Sequence, residues 1–485
     1  MYIRGRTAAI LIVFSVLCSS LLTAAAFGAS ESIASILPGS VPASNSGDGL
    51  EDGLQKLQRA YRMIKQEYIR DVNDQKLIDG AISGMVEALD DPYSVYMDQE
   101  TAKQFHSTLE SSFEGIGAEV TMKNGRVTIV SPFKGSPAEK AGLRPEDQVI
   151  KVNGVSLEGM TLNEAVMKIR GPKGTKAKLE VVRPGHSEIL HITVTRDEIP
   201  IETVDAQMLK GGIGKIEISQ FAEDTAKDFA DALEKLEGQG MKGLVIDLRG
   251  NPGGLLPAVL EIAEDLVPGE KPIMFTEDKR GQRVEYKSKL KEPKPYPIVV
   301  LIDKGSASAS EILAAALKES GGYTLVGQTT FGKGTVQTAK DFDDGSNLKL
   351  TMAKWLTPKG IWIDQKGGTK GIKPDVTAKP PAYARATPPM PDKPLKRDMA
   401  STEVRNLQLI LDGMGYPPGR TDGYFSEQTE LAVKAFQKTR KLPVSGQVDQ
   451  KTALKLQEEF LKLLRDPESD IQLQVAIDVL KKQMK

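Results

Sequence analysis

Ser308 and Lys333 are the residue types in this chain through which covalent chemistry could run. Ser308 lies in Lys304-Gly305-Ser306-Ala307-Ser308-Ala309-Ser310-Glu311, and Lys333 in Phe331-Gly332-Lys333-Gly334. A serine hydroxyl is a poor nucleophile until a neighbouring base takes its proton. Histidine, the usual base, is scarce: the chain has three, His106, His186 and His191. The single cysteine is Cys18, so no thiol nucleophile exists beyond the N-terminal segment. A serine–lysine pair is the arrangement left open for covalent catalysis.

The surrounding pattern must bring the two together. Pro297-Ile298-Val299-Val300-Leu301-Ile302-Asp303 is an apolar, β-branched run of strand length. Glu311 to Lys318 is a strong helix former, Gly321-Gly322 ends it, and Tyr323-Thr324-Leu325-Val326-Gly327 reads as a second strand. Strand, helix and strand at this length predict a parallel pair joined by a crossover. Both strands then end at one sheet edge, with Ser308 leaving the first and Lys333 the second. Open α/β sheets carry their sites there.

A third strand, Gly243 to Leu248, runs into Arg249-Gly250-Asn251-Pro252-Gly253-Gly254. A glycine-rich turn exposes backbone N–H groups, which suits an oxyanion hole. Beyond Lys333, period-two alternation puts Lys333, Thr335 and Gln337 on one face, so Gln337 can hold the lysine amine. Each motif alone has a plainer meaning. Serine before a helix is ordinarily an N-cap, and a Gly-Asn-Pro-Gly turn is ordinarily only a turn. Their convergence on one edge without histidine favours catalysis.

With these motifs in view, residues 50–378 resemble the carboxy-terminal processing peptidases, exported serine proteases with a Ser-Lys dyad and an embedded PDZ domain. The resemblance rests on Ser306 to Glu311, on Thr330-Phe331-Gly332-Lys333-Gly334-Thr335-Val336-Gln337 and on Asp247 to Gly254. It implies Ser308 as nucleophile, Lys333 as general base and Gln337 as its orienting partner. It implies oxyanion donors on Ala309 and on Gly253 or Gly254, leaving open which glycine. It also implies a multidomain α/β and α+β chain whose protease core has a Clp-protease or crotonase-like fold. The form it resembles most, from spore-forming Gram-positive bacteria, carries an extra C-terminal module and points to a regulatory cut in sporulation.

The PDZ domain is also legible from residues. Gly135 to Leu143 reads as a short helix, Asp147 to Asn153-Gly154 as a strand ending in a hairpin turn, and Leu162 to Arg170 as an amphipathic helix. Gly115-Ile116-Gly117-Ala118 resembles the PDZ carboxylate loop, which captures a peptide C-terminus beside an open strand edge. Arg170, at the helix end, is a candidate sensor of that carboxylate.

At 485 residues the chain has room for several domains. A hydrophobic content of 40% and a charged content of 27% are ordinary for globular chains. A net charge of −1 gives no support for nucleic-acid binding. No paired-Cys or His-Glu-x-x-His spacing occurs, so neither metal nor cofactor is expected. Arg4 and Arg6 precede an apolar run from Ala8 to Ala26, which reads as an export signal or uncleaved anchor.

The expected division is a signal or anchor over 1–27, a flexible linker over 28–50, an N-terminal helical region over 51–110, a PDZ domain over 111–196 and the protease core over 197–378. A Pro-rich linker over 379–397, a helical domain resembling peptidoglycan-binding modules over 398–464 and a helical, charged tail over 465–485 complete it. Within the module, Ser445-Gly446-Gln447-Val448-Asp449 echoes the turn at Asp422-Gly423-Tyr424-Phe425-Ser426. The partners expected are protein or peptide substrates with an accessible C-terminus, a second copy in a homodimer by analogy with the family, and a cell-wall glycan or partner protein at the module. The competing reading is a catalytically silent scaffold that joins a PDZ domain to a wall-binding module.

Overall fold

The computed structural model describes residues 48–484 apart from 124, 187, 365–367 and 392. The signal or anchor expected over 1–27, and nearly all of the linker expected over 28–50, lie outside the described residues. Among the described residues no helix is long and apolar enough to cross a membrane.

The chain divides into two units, one ending at Ala81 and the other beginning at Ile82. The described part of the first is helical. In α1 (Asp48–Glu67), Leu50, Leu54, Leu57 and Ile64 recur at helical spacing and are exposed. α2 (Asp74–Glu87) follows.

In the second unit, β1 (Val95–Met97) and α3 (Gln99–Leu109) precede β2 (Ser112–Gly115). The PDZ domain then contains β3 (Ala118–Lys123), β4 (Arg126–Pro132), α4 (Pro137–Lys140), β5 (Gln148–Val152), β6 (Val155–Ser156), α5 (Leu162–Ile169), β7 (Lys176–Val182) and β8 (Leu190–Thr195). Its sheet runs β3-β4-β5-β7-β8, which leaves β3 on an edge. Alternating inward residues, among them Val127, Ile129, Leu179 and Val181, bury against Ala165 and Ile169 of α5. Asn153 and Gly154 both take positive φ, 52° and 83°, as a tight hairpin turn requires. The exit strand β9 (Asp197–Pro200) pairs antiparallel with the entry strand β2. One two-stranded ribbon therefore carries the chain into and out of the PDZ domain.

The protease core follows as β10 (Val204–Leu209), β11 (Ile213–Ile218), α6 (Thr225–Gly238), β12 (Gly243–Asp247), α7 (Leu256–Glu264), β13 (Pro272–Asp278), β14 (Arg283–Lys287), β15 (Ile298–Ile302), α8 (Ala309–Glu319), β16 (Thr324–Gly327), β17 (Thr335–Asp341), β18 (Asn347–Leu356) and β19 (Val376–Thr377). The main sheet has the order β10-β11-β12-β15-β16-β19. All its pairings are parallel except β10 with β11. Both faces are covered, which explains the continuous apolar runs at β12 and β15. Ile298, Val300 and Ile302 pack with α6, α7 and α8, while Val299 and Leu301 face the opposite cluster. The predicted strand–helix–strand unit is β15, α8 and β16, whose strands are parallel neighbours. A second, antiparallel sheet runs β1-β18-β13-β14, with β17 added on β18.

Three helices, α9 (Thr402–Gly413), α10 (Glu427–Thr439) and α11 (Gln450–Arg465), build the C-terminal module. The sequence echo has a physical basis in two buried glutamines. Gln408 accepts the Gly423 N–H at 2.9 Å and donates to the Tyr424 carbonyl and the Thr429 hydroxyl. Gln437 accepts the Gly446 N–H at 2.9 Å and donates to the Gln447 carbonyl and the Thr452 hydroxyl. Each glutamine staples the next turn to the next helix start. The stretch expected as a tail ends in α12 (Ile471–Gln483), which returns to the protease core. Its Leu473, Ala476, Ile477 and Leu480 bury against Val245, Val299 and Val326, covering the sheet face opposite α8. Replacement of Gln437 by Leu should cost about 1–3 kcal/mol, because the Gly446 N–H and Gln447 carbonyl lose a buried partner. Chemical denaturation checks this; wild-type stability would show that the staple is dispensable.

Candidate active site

Ser308 stands between the end of β15 and the start of α8, at φ 55° and ψ −114°. A non-glycine residue at such a φ is strained, and surrounding contacts must hold it. Glu311 supplies them. Its fully buried carboxylate accepts four bonds: the Ser308 N–H at 2.9 Å, the Lys333 N–H at 2.8 Å, the Gly332 N–H at 2.7 Å and the Thr330 hydroxyl at 2.6 Å. One side chain thus ties the main chain at Ser308 to the main chain at Lys333. Burial pushes the Glu311 carboxyl above its ordinary pKa, and the four donors work against that rise.

Lys333 is pinned on its other side as well. The indole of fully buried Trp355 donates to the Lys333 carbonyl at 2.7 Å, and Trp362 donates to Gly334. A Cβ at Gly334 would lie 1.7 Å from the Ile363 carbonyl oxygen, so only glycine allows this approach. The Lys333 amine lies 4.9 Å from the centre of the Tyr93 ring. Burial, with a smaller contribution from the Lys349 charge, lowers its pKa from the ordinary value against the pull of Asp91 and Glu311.

The glycine turn locks onto the serine loop. Ser306 donates to the Leu248 carbonyl at 2.7 Å, and the Asn251 carbonyl accepts both the Ala307 N–H and the Ser310 hydroxyl. Ser306 and Ser310 are fully buried by this work, whereas Ser308 borders a cavity of about 510 Å³. Of the two glycines left open above, Gly253 spends its N–H on Asn251 Oδ1 at 2.8 Å. No acceptor among the described residues takes the N–H of Gly254 or of Ala309, and both residues line the cavity. A Cβ at Gly254 would lie 2.1 Å from the Phe221 carbonyl oxygen, so glycine is obligatory there.

Lys333 and Gln337 line the same cavity as Ser308. Gln337 donates its amide N–H groups to the hydroxyls of Thr335 at 2.9 Å and Thr351 at 3.1 Å, which leaves its Oε1 as an acceptor. The Thr335–Gln337 contact follows the predicted period-two face. Among the described residues, no hydrogen bond joins the Ser308, Lys333 and Gln337 side chains to one another.

The PDZ candidates divide between two places. Gly115 ends β2, Ile116 is buried, and Gly117 has φ 73° with Ser136 and Ile199 so close that a Cβ would collide. Ala118 opens the edge strand β3. Arg170 caps α5 with its guanidinium 4.4 Å from the centre of the Phe113 ring, on the entry strand β2. That strand follows α3, whose Phe105, His106 and Leu109 form part of the wall of the cavity that Ser308 borders.

Several residues of the site had no assigned role in the sequence reading, Glu311 above all. Its signal was present in the Ser-x-x-Glu spacing of a capping box. Trp355, Tyr93 and Lys349 carried no local signal, because only β18 and the turn before β1 bring them to Lys333. Among the described residues, no cluster of His, Cys, Asp or Glu has the arrangement of a metal site.

Known proteins match this chain segment by segment. Residues 212–378 match peptidase family S41, 128–183 a PDZ domain, 400–456 a putative peptidoglycan binding domain, and 28–101 the N-terminal domain of the activating protease CtpB. Carboxy-terminal processing protease CtpB of Bacillus subtilis (strain 168) is 50% identical over 444 residues, covering 91% of this chain and 92% of the relative. Carboxy-terminal processing protease CtpA of the same strain is 48% identical, with the same coverage. Among solved structures, a photosystem II D1 C-terminal processing protease is 29% identical, with a TM-score of 0.41, covering 67% of this chain and 92% of that one.

Glu311→Gln should lower kcat roughly ten- to hundredfold. An amide cannot accept four donors, and each buried N–H left without a partner costs about 1–3 kcal/mol. Peptide hydrolysis on the folded variant checks it, and wild-type kcat would remove Glu311 from the site's framework.

Proposed function

This chain belongs to peptidase family S41 as a carboxy-terminal processing serine protease, and on that premise we propose that it cuts peptide bonds near substrate C-termini through a Ser308–Lys333 dyad. The observation that carries the proposal is the joint tether at Glu311, which fixes the main chain of both residues beside one cavity. In the proposed reaction the neutral form of Lys333 takes the Ser308 proton as Oγ attacks the scissile carbonyl. The N–H groups of Gly254 and Ala309 receive the oxyanion, while Gly253 serves through its shape and its bond to Asn251. Lys333 then returns the proton to the leaving amine, and water hydrolyses the acyl-enzyme by the reverse sequence. Gln337 offers Oε1 to the lysine amine.

The proposed reader is the edge of β3, where an extended peptide can add as a strand with its carboxylate at Gly115-Ile116-Gly117-Ala118. Arg170 on Phe113 supports a link from that reader to the core, since α3, at the cavity wall, leads through residues 110 and 111 into β2. Occupancy of the PDZ domain would move Arg170 and, with it, α3 and the dyad. The role proposed is regulatory processing outside the cytoplasm, in sporulation, by an exported homodimer whose C-terminal module contacts cell-wall glycan or a partner protein. A silent scaffold has no use for a desolvated lysine beside a strained serine, so the protease is the better reading.

Ser308→Ala should abolish proteolysis with the fold intact, and Lys333→Arg should do the same, because guanidinium does not deprotonate at working pH. Wild-type kcat/KM should rise along one limb as Lys333 loses its proton, with a midpoint below the roughly 10.4 of an ordinary lysine. Removing a positive neighbour raises that pKa, so Lys349→Met should move the limb to higher pH. An unmoved limb would exclude Lys333 as the titrating group.

For the PDZ link, Phe113→Ala and Arg170→Ala should change kcat on a peptide at saturation. If both variants alter KM alone, the PDZ domain only tethers substrate.

A further inference from the structure

The turn that carries Gly254 begins at Arg249, and the contacts of Arg249 come from an unexpected part of the chain. Its Nε and Nη2 grip Asp247 at 2.8 and 2.6 Å, while Nη1 and Nη2 grip Asp470 at 2.9 and 2.6 Å. Asp470 follows the whole C-terminal module and is the N-cap of α12, where its carboxylate also accepts the Leu473 N–H at 3.0 Å. The guanidinium is therefore held in two forks, each of which fixes its plane. It is also well buried, with 18% of its side chain exposed, beside Asp247 at 3% and Asp470 at 24%. Burial works against the Arg249 charge, and the two carboxylates more than restore it. Gln472 adds an acceptor at 3.3 Å and donates to the Ala378 carbonyl at the end of the core.

We propose that Asp470 is a positioning residue of the protease active site, which sets the Gly250–Gly254 turn through Arg249. Arg249 is the last side chain before Gly250, whose own N–H is held by Asp303 at 2.9 Å. The same carboxylate of Asp303 accepts the Gly305 N–H at 2.8 Å in the serine loop. A shift of Arg249 thus reaches the glycine turn and the serine loop together. Asp470, at the N-cap of α12, consequently ties the start of that helix to the glycine turn, and the helical module lies between the core and α12 in the chain. Asp470 touches no reacting atom. The inference rests on the assignment of the Gly254 N–H to the oxyanion.

The test is Asp470→Asn in the full chain, assayed on a short unfolded peptide beside Leu480→Ala. Leu480 is fully buried in the apolar cluster between the same helix and the sheet, so it reports the cost of loosening α12 alone. Asp470→Asn is expected to lower kcat about tenfold or more with KM held within about twofold, as loss of an interaction felt in the transition state requires. Leu480→Ala is expected to lower the melting temperature while kcat stays within about twofold of wild type. Wild-type kcat in Asp470→Asn, or loss of kcat in both variants in proportion to their melting temperatures, overturns the proposal. Should Asp470→Asn not fold, Asp470→Glu decides by the same readout: reduced kcat at unchanged KM supports the proposal and wild-type kcat overturns it. Inactivity of Ser308→Ala alongside a fully active Asp470→Asn would leave the dyad standing and remove only this inference.

Discussion

A single buried carboxylate organises the site. Glu311 lies on the first turn of α8, and its two oxygens satisfy backbone donors from both loops that leave the parallel sheet. An ionised carboxylate is a pure acceptor, so it fits a place where four donors converge and nothing else could satisfy them. The cost is desolvation, visible in the raised pKa of Glu311. The return is geometric: a strained serine and a lysine from separate loops share one anchor. In a low-dielectric setting such a network is rigid when complete and costly when broken.

The same desolvation acts on chemistry at Lys333. A lysine in water is a cation and no base. Burial beside Tyr93, with Lys349 in the same cavity wall, favours the neutral amine. The Glu311 carboxylate is turned to the backbone, where it holds position, and its charge, with that of Asp91, works against the loss of the lysine's proton. Glu311 thus serves as a clamp on the main chain of both residues.

Much of this was legible in the sequence, and the reasons are local. Apolar runs bounded by glycine and proline marked β12, β15 and β16, and their parallel order put Ser308, Lys333 and the glycine turn on one edge. The Asn153-Gly154 turn and the spacing of α5 marked the PDZ domain, while the repeated turn of the C-terminal module showed as an echo whose glutamine staples only the structure reveals. What stayed hidden depends on contacts distant in sequence. Gly253 and Gly254 are indistinguishable until the Asn251 side chain is seen to take the Gly253 N–H. The charged stretch after residue 465 reads as a tail because its apolar face is short. Only the sheet reveals that Leu473, Ala476, Ile477 and Leu480 have a surface to cover.

The central claim is that Lys333 activates Ser308. The most direct measurement is the pH dependence of covalent labelling of the folded full chain by a fluorophosphonate, with the modified residue located by mass spectrometry. The account predicts a single adduct on Ser308, formed at a rate that rises with pH with a midpoint below that of an ordinary lysine, and a slow, pH-flat reaction in Lys333→Met. An adduct on Ser306 or Ser310, or an unchanged rate profile in Lys333→Met, would contradict it.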